Sequence, residues 1–321
     1  MKTESLLLTA PLGADTGNIA SGVIVASNES RFASRNYSEP LTAYTVGWND
    51  PENLDDLLEQ VAPAVESPRL VEFKKMINSD FFLTELDDIR AIGAAFKRVD
   101  FGNDTALAKT LNKGLTIRVD HDDVLGTDWR ERYTGFLLRR LTRNDLRRAV
   151  AGLLAAADNT AFNWGAEAAN PDSDIRKLLR ACKLESGIRP NRLLMGGEGW
   201  DARADAYEGQ NTPHAGRRAD LSPDQVAAKL MVEKLTVSEA VYQAGANAKA
   251  DIVGKLVVAY YARSGLMKDE PSNIKRFVTP TGAGRHRVYV EEHDKFTDIS
   301  VEHYSNIIIT TTLGLKKGTI A

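Results

Sequence analysis

Apolar residues recur every three to five positions between residues 129 and 164. Tyr133, Phe136, Leu137, Leu141, Leu146, Val150, Leu153, Leu154 and Ala157 fall on one stripe, and Arg130, Arg132, Arg139, Arg140, Arg143, Arg147 and Arg148 on the opposite face. This spacing predicts a single helix of roughly 40–50 Å. Asp128, with Glu131 three positions on, has the spacing of a capping box. Elsewhere the period falls to two. Residues 115–120 (Leu-Thr-Ile-Arg-Val-Asp) alternate cleanly, and so do 69–75, where Val71 and Phe73 stand between charged neighbours. Residues 96–101 repeat the pattern with Val99 and Phe101. Between these last two segments lies a mixed stretch holding Phe81, Phe82, Asp87, Asp88 and Arg90. The simplest drawing is a two-stranded excursion, which is marginal in water unless it lies on something else.

A short helix is expected after Asp50-Pro51, carrying Leu54, Leu57, Leu58 and Val61 and ended by Pro63. From 166 to 280 the pattern changes to short helices at 174–184 and 222–231 and buried strands at 192–195 and 255–261. Ser222-Pro223-Asp224-Gln225 is a second capping-box signal, and 208–219 reads as a surface loop. Strands return at 287–290, 296–301 and 306–313; the last is so rich in Ile and Thr that it must be paired in a sheet. Residues 1–40 show no sustained period. They suit either a frayed terminus or an arm that orders only against another subunit.

Composition narrows the function classes. The 321 residues are 43% hydrophobic and 26% charged, ordinary for a globular protein, with a formal charge of -3. A dedicated nucleic-acid binder is usually more basic. Cys182 stands alone, which excludes an internal disulfide and a cysteine-built zinc site. No apolar run reaches the ~18–20 residues of a membrane helix, and the amino terminus does not read as a secretory signal, so a soluble chain made inside the cell is expected.

No motif amounts to an active site. Gly197-Glu198-Gly199-Trp200 imitates a dinucleotide fingerprint, but the residues after it read as barely two turns of helix with no second βαβ strand. His121, within Asp120-His121-Asp122-Asp123, has no second histidine at metal-ligand spacing. The other histidines are scattered, and neither a nucleophile elbow nor a phosphate loop is present. Cys182 sits beside Leu178 and Leu179 and reads as a core thiol. We therefore expect no catalytic, cofactor or metal site. The arginine face leaves two readings open. One is a solvated face with local pairs to Glu131 and Asp145; the other is contact with acids of neighbouring chains, such as Asp55, Asp56, Asp87 or Asp88.

An arm, a ribbon, a long helix, an inserted compact unit and a returning sheet have an assembly logic. From about Leu41 onward the chain resembles the major capsid proteins of tailed bacteriophages, which share the Hong Kong ninety-seven-type fold. The resemblance is carried by the segments at 41–48, 88–99 and 113–120 feeding the arginine-rich helix, by Arg189-Pro190-Asn191-Arg192-Leu193-Leu194-Met195, and by those at 235–242, 251–260 and 296–309. It implies an α+β fold with four parts. These are an N-terminal arm with a short helix (1–67), an extended loop or β-ribbon over an adjacent subunit (68–105), a peripheral domain with a spine helix (106–165 plus 281–321) and an axial α/β domain (166–280). It also implies a non-enzymatic structural subunit that self-assembles through pentamers and hexamers into an icosahedral shell around phage double-stranded DNA, touched weakly and non-specifically. The implied location is the virion, assembled in the bacterial host cytoplasm, and the implied partners are identical subunits and a portal, with decoration proteins in some relatives. The chain is too short to carry a cleaved scaffolding segment, which implies a separate scaffold or none. Arg139, Arg140, Arg143, Arg147, Arg148, Asp87, Asp88, Phe81 and Phe82 are the expected assembly contacts. The alternatives are an encapsulin-like nanocompartment of the same fold and, third, an unidentified soluble α/β enzyme.

Overall fold

The computed structural model describes residues 36–75, 105–124, 126–166, 169–210, 215–263, 271–281 and 284–321, and the isolated positions 89, 92, 93 and 95. The proposed arm up to residue 35 and the expected strand at 96–101 lie outside the described residues, as does most of 76–95, including Phe81, Phe82, Asp87 and Asp88.

Two five-stranded sheets organise the chain. The first is built on the 14-residue strand Phe296–Ile309, which joins the two strands expected at 296–301 and 306–313. One of its edges pairs with Leu111–Asp120 along 296–305. The other is shared, with His286–Glu292 opposite 297–303 and Ile274–Thr279 opposite 304–309. Ala64–Glu66 adds a parallel strand outside Ile274–Thr279. The polar residues between the two apolar runs do not interrupt the ladder, because backbone pairing is indifferent to side chain.

The spine helix, Trp129–Ala156, lies on this sheet. Leu137, Leu138 and Leu141 pack with Val288, Ile299 and Val301 at one end. At the other end Leu146, Val150 and Leu153 meet Leu54, Leu58, Val61 and Ile274. Leu146 and Leu153 are wholly buried, each contributing about 1.5–3 kcal/mol relative to exposure. Three expectations are corrected here. The helix stops at Ala156 rather than near Trp164, because Asp158–Phe162 becomes a strand, paired parallel with Lys316–Ile320. The capping box at Asp128 is not formed; its carboxylate accepts from Thr127 Oγ1 at 2.8 Å instead. The short helix starts at Leu54, after Pro51, because the Asp50 carboxylate accepts from the backbone N–H groups of Glu52 (3.1 Å) and Leu54 (3.2 Å) and holds the intervening residues in a turn.

A helix that the pattern did not predict, Glu39–Gly47, precedes it. Its buried residues are Leu41, Thr42 and Thr45, so two of its three inward positions carry polar letters. Thr42 Oγ1 donates to Ser38 O and accepts from Val288 N, which ties the helix to the sheet edge.

The second sheet runs in the order Asp158–Phe162, Lys316–Ile320, Leu256–Tyr260, Arg192–Gly196, Lys234–Ser238. Leu193, Met195, Val257 and Ala259 face the helices Pro171–Ser186 and Pro223–Leu230. Leu194, Val258 and Tyr260 face the far end of the spine helix. Burial on both faces explains why these strands are continuously apolar. The capping box at Ser222 is formed in both directions. The helix after Gly196 runs from Gly197 to Glu208, longer than the two turns expected, and the loop expected at 208–219 contains a short helix, Ala215–Ala219. Lys316–Ile320, within the 281–321 stretch expected in the peripheral domain, pairs in this second sheet.

Leu70–Lys74 pairs antiparallel with Thr105–Lys109, so the described returning strand of the ribbon lies after the expected 96–101. Val71, Phe73 and Ala108 bury against Phe277, which seats the ribbon base on the first sheet; the Phe73 and Phe277 rings are 5.6 Å apart.

Candidate assembly surface on the spine helix

The apolar stripe is committed to the sheet except at Phe136, which is 49% exposed among the arginines that the helix presents outward. An acidic strap preceding Leu54–Val61 runs beside them. Arg139 Nε lies 3.3 Å from Asp50 Oδ1, and Arg143 pairs with Glu52. Thr142 Oγ1 donates to Asp55 at 3.0 Å. Arg139 and Arg143 are therefore held by acids of their own chain, and these acids are not the ones the sequence pattern suggests for them. Asp55, one of the acids offered for contact with another chain, accepts from a threonine of its own chain, and burial raises its pKa. Arg148 pairs with Asp145 one turn away, as the local reading expects. The Arg147 guanidinium stacks over Tyr242 at 3.9 Å, and Arg140 is exposed. Tyr242 belongs to the two-stranded hairpin Val241–Gln243 and Lys249–Asp251, which stands over the helix. Phe81, Phe82, Asp87 and Asp88 cannot be placed against these residues, because they lie outside the described ones.

Under the arginines lies a charged node that sequence reasoning missed. Asp145, with a side chain 4% exposed, accepts from Lys113 Nζ at 2.8 Å and Ser305 Oγ at 3.0 Å, and lies 3.2 Å from His303 Nε2. Burial pushes the Asp145 carboxyl up, but the His303 hydrogen bond and the Lys113 charge outweigh it and hold it far below the usual carboxylate range. Burial draws the Lys113 ammonium down despite its partner. His286 lies against His303, ring centroids 5.2 Å apart and planes tilted by 58°; burial, then the charges of His303 and Arg285, push its pKa down to about 3. A signal existed. The helix-facing row of the long strand reads Ile299, Val301, His303, Ser305, Ile307, Ile309, an apolar row broken at its centre opposite the one acid in the helix stripe.

Both groups make acid destabilising. His286 is depressed, so the stability tied to its neutral ring is complete above an unfolded pKa of about 6.5 and is lost as pH falls toward 3. Asp145, also depressed, contributes fully above about pH 4 and loses that contribution below it. Thermal melts should therefore show a midpoint that declines from pH 7 to pH 4, with His286→Gln flattening the part above pH 5. A wild-type midpoint constant over that range would contradict this.

The remaining chemistry is structural. Asp172 is buried and receives Arg203 Nε at 2.9 Å and Lys229 Nζ at 2.7 Å inside the second unit. Cys182 is buried, and burial pushes its thiol up to about 12, where it is a poor nucleophile. Among the described residues Glu291, His293 and Asp298 bring potential metal-ligand atoms within 4.8 Å of one another, but Arg118 grips both Asp298 oxygens at 2.9 Å. A bidentate guanidinium there competes directly with a cation. His121 Nε2 is engaged with Thr297 Oγ1 at 2.8 Å. The glycine of 196–199 that the fold needs most is Gly196, where a Cβ would sit 2.1 Å from the Gly254 carbonyl oxygen; the fingerprint is close strand packing. No helix among the described residues is long and apolar enough to cross a membrane.

No protein-family model and no curated protein matches this sequence. Solved structures do. A phage-related protein of Bordetella bronchiseptica RB50 superposes with a TM-score of 0.67 at 17% identity, over 88% of this chain and 97% of that one. The capsid of cyanophage P-SCSP1u superposes with a TM-score of 0.51 at 8% identity, over 82% of this chain and 87% of that one. At such identities the likeness speaks for the fold, and that fold is the mixed α+β, Hong Kong ninety-seven-type fold of phage capsid subunits.

Proposed function

We propose that this chain is the major shell subunit of a phage head, associating with identical copies around five- and six-fold positions to enclose double-stranded DNA. The observation that carries this, beside the fold, is apolar surface left without cover by the described residues of its own chain. Ile89 is 84% exposed and Ile92 fully exposed, both in the segment joining the ribbon strands. A neighbouring copy covers both isoleucines in this reading. In this reading the chain divides into arm (1–67), extended loop (68–105), peripheral domain (106–165 plus 281–321) and axial domain (166–280), with Asp158–Phe162 and Lys316–Ile320 assigned to the axial sheet.

Interfaces formed by arm and loop together would bury roughly 2,000 Å² or more per pair. Several such contacts per subunit retain it by multivalency, and closed symmetry limits growth. A net charge of -3 suits a container that touches its DNA weakly. The decisive experiment is electron microscopy of the purified full chain: hollow icosahedral particles are expected, and a monomer at all concentrations would overturn the proposal. Nuclease-protected double-stranded DNA in particles from phage-producing cells is the expected content; a protein cargo would identify a nanocompartment instead. Removing residues 1–35 should abolish particles while leaving the thermal midpoint of the core within a few degrees. Unimpaired particles from that truncation would contradict the role given to the arm.

A further inference from the structure

We infer that the small polar cavity under the middle of the spine helix is a proton-coupled site for one halide-sized anion, held between Arg276 Nε and His303 Nδ1. The inference stands apart from the shell reading. The cavity has a volume of about 30 Å³, with Leu58, Leu141 and Val278 as its apolar wall. Arg276 and His303 both line it, and both are more than nine-tenths buried. Arg276 Nη2 donates to Glu59 at 2.7 Å, but its buried Nε has no partner among the described residues. Neither has the buried Nδ1 of His303. Two orphaned polar atoms on one cavity call for an occupant, because nearly every buried polar group is paired. A water needs only ~10–15 Å³, so the space admits a water or a halide and excludes sulfate or phosphate.

The proton on His303 decides between them. Its Nε2 faces Asp145 Oδ2 at 3.2 Å and Ser305 Oγ at 3.1 Å. The Ser305 hydroxyl donates to Asp145 at 3.0 Å, so both atoms opposite Nε2 are acceptors and Nε2 carries a hydrogen. In the neutral ring Nδ1 is then an acceptor. Beside the Arg276 N–H it suits a water, which accepts from one and donates to the other. A proton taken from solvent at Nδ1 turns that acceptor into a donor. Two N–H groups on two cations suit an anion, and proton and anion enter together with no net change in charge.

The surrounding charges favour that exchange. Arg276 of Ile274–Thr279 and Arg285, just before His286–Glu292, line the cavity. Lys113 of Leu111–Asp120 and Arg148 of the spine helix reach Asp145. Against these four cations stand three carboxylates: Asp145, Asp55 of the short helix, and Glu59 on Arg276. The two that line the cavity are already engaged, Asp145 by Lys113, Ser305 and Arg148, and Asp55 by Thr142. His286 lies against His303, and two touching rings resist both being charged, so a single proton enters. Arg285 both lines the cavity and is exposed, which marks the route from solvent.

The test is thermal melting of the full chain in equal concentrations of sodium bromide and sodium gluconate, whose anion is too large for the cavity. Melts are run at about pH 5 and about pH 8, where histidines are largely charged and largely neutral. At the lower pH bromide should raise the midpoint by about 3 °C over gluconate, and at the higher pH the difference should vanish. His303→Gln keeps an N–H toward Asp145 but has nothing to protonate at the Nδ1 position. It should lose the bromide advantage, which mere surface binding of bromide would not. Arg276→Lys keeps the charge beside Glu59 without Nε–H and should lose it too. If neither variant folds, bromine anomalous scattering from wild-type crystals grown at the lower pH decides: one peak is expected within hydrogen-bond reach of both nitrogens. No bromide advantage at the lower pH, an equal one at both, one retained in the variants, or an anomalous map without a peak in the cavity overturns the inference.

Discussion

Replacing Asp145 with asparagine is expected to destabilise the chain by about 3–5 kcal/mol, the cost of leaving a buried charge without its counter-ion. Lys113 is 12% exposed and His303 8%; both lose the negative charge beside them, and because asparagine keeps a single side-chain oxygen, one of the two also loses its acceptor. Urea unfolding should show a lower midpoint with the slope unchanged, because the same surface is exposed. A loss under about 1 kcal/mol would mean that Lys113 finds water when its partner goes. The node need not be the most stable solution. Asp145→Leu with Lys113→Met and His303→Leu should recover most of the loss, since well-packed apolar groups often equal or exceed a buried ion pair. What that triple variant would lose is register. Asp145 marks the one point on the spine helix that must lie over residues 303–305, and an all-apolar seam can slip by a turn.

Gly196→Ala is expected to be more severe still. A Cβ there would stand 2.1 Å from the Gly254 carbonyl oxygen and 2.3 Å from that of Val253, both backbone atoms. Both atoms belong to the turn that leads into Leu256–Tyr260, the strand paired with Arg192–Gly196, so relief requires displacing that turn and the strand end it feeds. Destabilisation above about 4 kcal/mol and insoluble expression are expected. Gly216→Ala is the control: its Cβ meets nothing within 4 Å, and the change should be neutral or slightly stabilising. Near-equal urea midpoints for the two variants would show that the 253–254 turn can move aside.

The sequence was informative where a period ran unbroken. The spine helix announced itself through nine apolar positions on one stripe, and the strand Arg192–Gly196 through consecutive apolar letters. Legibility failed where polar residues do the inward work. Glu39–Gly47 was invisible because Thr42 and Thr45 are its buried contacts, and Thr42 faces inward through a hydrogen bond rather than through apolar area. The stripe runs past the end of the spine helix at Ala157, while the strand partner that ends the helix lies more than 150 residues away. No local window holds that information. The arginine face was seen, but not its acidic strap, since Asp50 and Glu52 approach it only through the tertiary fold. The break at His303 and Ser305 in the long strand was visible among its letters; its meaning depends on the acid that the fold sets opposite.

The position of Lys316–Ile320 sets an order of events for the chain as it is made. This strand does not close the second sheet from its rim; it slots between Asp158–Phe162 and Leu256–Tyr260, both synthesised earlier. Until residue 320 has left the ribosome those two strands face each other across a gap, and the surface they support is incomplete. Topology alone defers completion of the sheet until translation has passed that strand.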